Sequence, residues 1–300
     1  MKFRNIYLLL LLFIILFIHA PAYAQMDSLR GKIELIAEKA KGDVGVCIIG
    51  LENNDTITFN GNGRFPMQSV YKFPVALAVL NQVDKGILSL DKKIFVKKKE
   101  LLSKTWSPLR EKYPKGNVKI SLAELLTYTV SMSDNNGCDI LFKLMGGTKM
   151  VNDYIHNIGI KDIAIVATEE EMHKDWNVQF TNWCTPIAMG NLLNKFNKGE
   201  ILSQKSTKFL MRVMEETSTG PKRIKGLLPA GTIVAHKTGS SGSNEVGIIG
   251  ALNDVGIVTL PNGNHFAIVV FISNTTADEN VCEKIIAEIT KVVWDRYVEN

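Results

Sequence analysis

Ser69 and Lys72 stand three residues apart in Phe65-Pro66-Met67-Gln68-Ser69-Val70-Tyr71-Lys72, and the apolar run Phe73 to Leu80 follows at once. A serine hydroxyl becomes a nucleophile only when a base takes its proton, and a lysine desolvated in a cleft is one group that can do so. At helical spacing the two side chains share a face. A helix beginning here also supplies backbone N–H groups that favour developing negative charge. The spacing alone selects nothing, because Ser89-Leu90-Asp91-Lys92 has it too. That copy leads into Ile94 to Leu101, without a comparable helix, and reads as a surface turn.

Two further triplets bear chemistry. Ser133-Asp134-Asn135 joins two helical stretches. Helix capping accounts for these residue types; alternatively the Ser133 hydroxyl relays a proton to a leaving amine while the Asn135 amide holds a carbonyl. Lys237-Thr238-Gly239 closes the strand pattern that starts at Val234 and precedes Ser240-Ser241-Gly242. It reads either as an ordinary strand end or as an edge that binds an extended anionic ligand. In the second case the Ser240 N–H joins that of Ser69 in an oxyanion hole. His156, His236 and His265 show no zinc-ligand spacing, so neither a metal nor another cofactor is expected.

These segments need a sheet and helices to bring them together. Val44 to Asn60 reads as a β-hairpin turning at Asn53-Asn54-Asp55, after a helical stretch from Ser28 to Lys41. Helical periodicity then dominates residues 70 to 215, at Val75–Val83, Leu122–Tyr128, Cys138–Met145, Pro186–Phe196 and Ser206–Met214. Strand patterns return at Thr232–Lys237, Glu245–Leu252, Gly256–Leu260 and His265–Ile272, with a tight turn at Pro261 to Asn264, and a last helix fits Glu279–Tyr297. Sheet at both ends implies that the terminal segments meet in one sheet beside a helical lobe, with a cleft between.

The chain of 300 residues has no repeat or linker that marks off independent modules. Lys2 and Arg4, the apolar run Ile6 to Ile18, and Ala22-Tyr23-Ala24 read as a signal peptide over residues 1–24, cut before Gln25. Its removal takes the formal charge from +5 to +3, which argues for no polyanionic partner. The run Lys97-Lys98-Lys99 is short and followed by Glu100, a solvated face rather than a nucleic-acid patch. Cys47, Cys138, Cys184 and Cys282 form no CxxC pair, and each fits a buried thiol.

The order of the three motifs, with 64 residues from Ser69 to Ser133 and 104 from Ser133 to Lys237, is jointly specific. The sequence resembles the class A serine β-lactamases over essentially the whole mature chain. The text around the motifs is most similar to the extended-spectrum and cephalosporin-hydrolysing branch of the PER and CepA type. The resemblance implies an α/β (α+β) fold, an αβα sandwich in which a five-stranded antiparallel sheet packs beside an all-helical lobe. It implies one domain over 25–300, with the sheet lobe at about 25–64 and 222–300 and the helical lobe at about 65–221. It further implies a secreted, periplasmic monomer that opens small-molecule β-lactams through an acyl-enzyme on Ser69.

By the same resemblance Lys72 and Ser133 are catalytic, and Asn135, Lys237, Thr238, Gly239 and Ser240 bind substrate. The family's deacylating glutamate lies on a loop that here reads Ala167-Thr168-Glu169-Glu170-Glu171-Met172-His173. Glu169 is chosen because His173, four residues on, both donates and accepts hydrogen bonds when neutral. Trp106 matches an aromatic at the cleft rim, and Arg223 an arginine that supports carboxylate recognition. Which base acts in acylation stays open. Penicillin-binding DD-peptidases share the three motifs, and a sensor domain that stays acylated would lack a usable glutamate and carry membrane spans.

Overall fold

The structure is a computed structural model and describes residues 29–299. The leader expected over residues 1–24 lies outside the described residues. Five antiparallel strands form the main sheet in the order Thr56–Phe59, Asp43–Gly50, His265–Thr275, Ile249–Thr259, Val234–Ser240. The first and last parts of the chain therefore share one sheet, and Val234–Ser240 is its edge.

Alternation along the strands sends side chains to two cores. Val46, Ile48, Ile268, Val270 and Ile272 pack under the helix at 29–37 and the Glu279–Val298 helix, with Ile285, Ile289 and Trp294. Cys47, Ile49, Val269 and Phe271 face the helical lobe instead. With both faces covered, the strands read as nearly continuous apolar runs, the pattern of a sheet sandwiched between helical layers. At the centre of the lobe lies the Lys72–Asp84 helix, in which every residue from Lys72 to Leu80 is buried. A helix apolar on all sides must be an interior one. Around it stand Leu122–Ser131, Asn135–Met145, Thr148–Asn157, Pro186–Asn197 and Gln204–Glu215. Their starts are set locally: Ser121, Asp134, Thr185 and Ser203 each accept a first-turn backbone N–H through the side chain.

Two details depart from the sequence reading. The strands expected at Glu245–Leu252 and Gly256–Leu260 are one strand, Ile249–Thr259, and Glu245 lies in the turn before it. The polar pair Asn253-Asp254 looks like a break but is wholly buried and bonded: Asn253 Nδ2 donates to the Pro66 carbonyl at 2.8 Å, and Asp254 Oδ2 accepts from Ile224 N at 3.2 Å. The helical lobe also holds a hairpin, Lys93–Val96 with Val118–Ser121, and the Thr148–Asn157 helix, neither of which the periodicity revealed. Ser89 and Lys92 are exposed in the turn region before that hairpin. All four cysteines are free and buried; burial pushes the Cys47 thiol up to about 12. Among the described residues, no helix is long and apolar enough to cross a membrane.

Candidate active site

Ser69 sits in a 3-10 turn, Gln68–Tyr71, that runs directly into the buried Lys72–Asp84 helix. That turn is held from two sides. Asn253 Nδ2 reaches the carbonyls of Pro66 and Met67 at 2.8 and 3.2 Å. On the edge strand, Gly239 passes so close that a Cβ there would lie 2.5 Å from the Met67 carbonyl oxygen and 3.2 Å from Val70 N. Only glycine allows this approach, and it brings the strand edge beside the Ser69 turn. Gln68 takes a left-handed backbone (φ 47°), and its side chain donates to Gln179 Oε1 at 2.7 Å. Such a conformation costs about 1–3 kcal/mol and persists because the surroundings over-determine it.

Lys72 is fully buried, and its Nζ is the hub of the site. It lies 2.8 Å from Ser69 Oγ, 2.6 Å from Asn135 Oδ1, 2.9 Å from the Ser133 carbonyl oxygen and 2.9 Å from Glu169 Oε1. Its three N–H bonds match the Ser69, Asn135 and Ser133 acceptors, while Glu169 Oε1 meets it as an ion pair without a hydrogen bond. Lys237 Nζ donates to Ser133 Oγ at 2.9 Å. Burial, then the nearby charge of Lys72, push the Lys237 ammonium well below its usual range. The capping reading of Ser133-Asp134-Asn135 is met by Asp134, which caps the Asn135–Met145 helix by accepting from Gly137 N at 2.7 Å. Meanwhile Ser133 and Asn135 face the two lysines. Asn135 Nδ2 is oriented by Thr105 Oγ1 at 2.7 Å.

The structure separates the three glutamates. Glu169 is buried against Lys72, whereas Glu170 pairs with Lys174 at 2.9 Å on the surface. Glu171 bonds the Thr168 backbone N–H at 2.8 Å as part of a capping box. The Thr168-x-x-Glu171 box and the four-residue Glu170–Lys174 spacing were both visible in the sequence and assign two of the three to helix structure. His173 is exposed and lines a recess of about 170 Å³ together with Glu169, Gln68 and Ser241.

Two residues that sequence reasoning missed hold this loop. Asn182 Oδ1 accepts from Val166 N and Ala167 N at 2.7 and 2.9 Å, and its Nδ2 donates to the Ala167 carbonyl at 2.8 Å. The Asp139 carboxylate accepts from Glu169 N at 2.8 Å and from Glu170 N at 2.9 Å. Asp139 lies four residues beyond Asn135 in one helix, a face relation that was available as a signal. Nothing in the spacing marked Asn182.

A cleft of about 430 Å³ contains Ser69, Ser133, Asn135, Thr238, Gly239 and Ser240. Trp106 stands at its rim, 56% exposed, with Nε1 donating to the Met132 carbonyl at 2.9 Å. Arg223 also borders the cleft but is only 4% exposed. It bonds the carbonyls of Gly239 and Asn253 at 3.3 and 3.0 Å and Ser240 Oγ at 2.8 Å. Its guanidinium is thus committed to protein acceptors, and Ser240, which is exposed, carries its influence to the cleft.

A model of the β-lactamase enzyme family matches residues 28–297. The chain is 47% identical to β-lactamase VEB-1 of Pseudomonas aeruginosa over 97% of both chains. It is 41% identical to the extended-spectrum β-lactamase PER-1 of Pseudomonas aeruginosa, covering 90% of this chain and 88% of that one. The crystal structure of the TLA-3 extended-spectrum β-lactamase superposes with a TM-score of 0.90 at 57% identity, over 91% of this chain and 99% of that one. A class A β-lactamase from Bacteroides cellulosilyticus superposes with a TM-score of 0.88 at 42% identity, over 91% and 98%. The chain belongs to the class A β-lactamases. Its reaction is β-lactam hydrolysis by a serine enzyme, and the DD-peptidase alternative is not favoured.

In this β-lactamase, burial and then the charge of Glu169 push the Asp139 carboxyl up to about 7. Ionised, it accepts both loop amides; protonated, one oxygen turns donor and an amide loses its partner. The group's pKa is raised, so the intact clamp is present above about pH 7 and is lost as pH falls through it. Turnover is expected to fall by about ten-fold on the acid side. Asp139→Asn, which cannot titrate, is expected to be slower at pH 8 and to lack that acid limb, as pH–rate profiles of the two proteins would show.

Proposed function

We propose that the enzyme hydrolyses cephalosporins and penicillins through an acyl-enzyme on Ser69, and thereby confers antibiotic resistance. The observation that carries this reading is one buried ammonium, that of Lys72, in contact with Ser69 Oγ, Glu169 and the Ser133–Asn135 segment together. Lys72, having passed a proton to Glu169, takes the Ser69 proton as a neutral amine, or Glu169 takes it through a water, and Oγ attacks the lactam carbonyl. The N–H groups of Ser69 and Ser240 take the oxyanion charge. Ser133, backed by Lys237, gives its proton to the ring nitrogen as the C–N bond breaks, leaving an ester on Ser69. Lys72 restores the Ser133 proton and retakes the one on Glu169; Glu169 then takes a proton from water, the hydroxide attacks the ester, and Ser69 leaves as the free hydroxyl with a proton from Lys72.

Binding follows from the same geometry. Thr238 and the Ser240 hydroxyl meet the substrate carboxylate, with Arg223 donating to Ser240 Oγ so that the hydroxyl proton points away from it. Asn135 meets the side-chain amide, and Trp106 covers the outer face. An extended spectrum is supported by the naming of PER-1 and TLA-3 and by the recess beside His173. The signal-peptide pattern supports a secreted, periplasmic location for a single domain over 25–300, acting as a monomer on small molecules without a nucleic-acid partner.

The test is steady-state hydrolysis of a chromogenic cephalosporin by the mature chain. A kcat/KM of about 10⁴ M⁻¹s⁻¹ or more is expected. Stoichiometric colour release followed by a stall would contradict hydrolysis and favour a penicillin-binding protein.

A further inference from the structure

The cleft that holds Ser69 and a second cavity of about 580 Å³ share a wall made by Ser240 and Glu279. The Glu279 side chain is 62% exposed, with Oε1 3.5 Å from Arg223 Nη2. Arg223 is already paired through Nε with Glu283 Oε1 at 3.2 Å. One guanidinium therefore faces two carboxylates, and the outer one stays open to solvent. Arg223 is the only basic residue that lines either cavity among the described residues, and it is buried. Asp278, in the second cavity, adds a carboxylate that bonds Val281 N at 3.1 Å.

Lys72 and Lys237 lie buried deeper, where Glu169 pairs with Lys72. The outer wall of the cleft is negative. Thr238, Ser240 and Glu279 line the same cleft, with Glu279 on the wall beside Ser240.

We propose that Glu279 is a specificity-determining residue that favours zwitterionic β-lactams, those with a cationic group such as a pyridinium or quaternary nitrogen beyond the ring carboxylate. This inference rests on the β-lactam reaction assigned above. The interaction acts across a partly solvated wall, so it is modest and salt-sensitive, and it falls on capture of substrate rather than on the bond-breaking steps.

The experiment compares the mature enzyme with Glu279→Gln on three cephalosporins that share one acylamino side chain and carry a cationic, a neutral or an anionic group at the 3-position. In low salt, Glu279→Gln is expected to lower kcat/KM for the cationic compound by about 3- to 5-fold and to raise it for the anionic one. The neutral compound should be unchanged, and about 0.5 M salt should erase both differences. Equal changes for all three would overturn the proposal, since they would mean that Glu279 acts only by holding Arg223. No change for any of the three would overturn it as well. If the natural enzyme fails to hydrolyse even the neutral compound, the reaction itself is wrong, and the subsite falls with it.

Discussion

Glu169→Ala β-lactamase mixed with a good cephalosporin is expected to gain the mass of the opened drug and to keep it. This variant retains Ser69, Lys72, Ser133 and the oxyanion N–H groups, so acylation through Lys72 remains open to it. Release needs a carboxylate placed to take a proton from water. Of the three adjacent glutamates only Glu169 is buried at the site, 2.9 Å from Lys72 Nζ. Losing a positioned general base slows the step it serves by about 10²–10⁴-fold. Deacylation should slow by at least that much while acylation stays measurable in a stopped-flow trace. Glu170→Ala and Glu171→Ala should turn over within a few-fold of the natural enzyme, since one carboxylate pairs with Lys174 and the other caps a short helix. Removing the charge of Glu169 also removes a cause of the raised Asp139 carboxyl, whose titration should therefore move downward from about 7.

Lys72→Arg is expected to lose the front half of the reaction. The substitution keeps a positive charge, so a purely electrostatic role for Lys72 would survive it. A guanidinium does not give up its proton at any working pH, and its planar fork does not match acceptors gathered around one nitrogen at 2.6 to 2.9 Å. Acylation should fall by about 10²–10⁴-fold, with no adduct accumulating on the time scale that traps Glu169→Ala. Melting curves on both variants separate this loss from misfolding.

Much of the architecture was open to reading in the chain because its causes are local. Caps at Ser121, Asp134, Thr185 and Ser203 and the apolar run after Lys72 fix the helices without reference to distant residues. The Asn253-Asp254 pair misled for the opposite reason. Its polarity is satisfied only by partners far off in sequence, at Pro66 and Ile224, so it mimics a turn until those partners are seen.

The site divides along the same line. Ser69, Lys72, Ser133, Asn135 and Lys237 were picked out by type, order and separation, and the fold gathers them around two ammonium groups. Asn182 was not picked out, because a side chain that binds the backbone of a remote loop leaves no periodic trace; Asp139 was missed although its i, i+4 relation to Asn135 was there to be read. Glu169 was chosen through His173, yet what distinguishes it in space is that Thr168 and Lys174 engage the other two glutamates. Arg223, read as supporting carboxylate recognition, borders the cleft while almost enclosed, and it donates to Ser240 Oγ.

The central claim is that a single hydroxyl, that of Ser69, carries the substrate. The most direct measurement is intact-mass and peptide-mapping spectrometry of the Glu169→Ala enzyme after brief exposure to a cephalosporin, beside the same protein with Ser69→Ala added. One adduct per chain on the peptide containing Ser69, and none in the double variant, is the expected result. An adduct on another residue, or one that persists without the Ser69 hydroxyl, would contradict it.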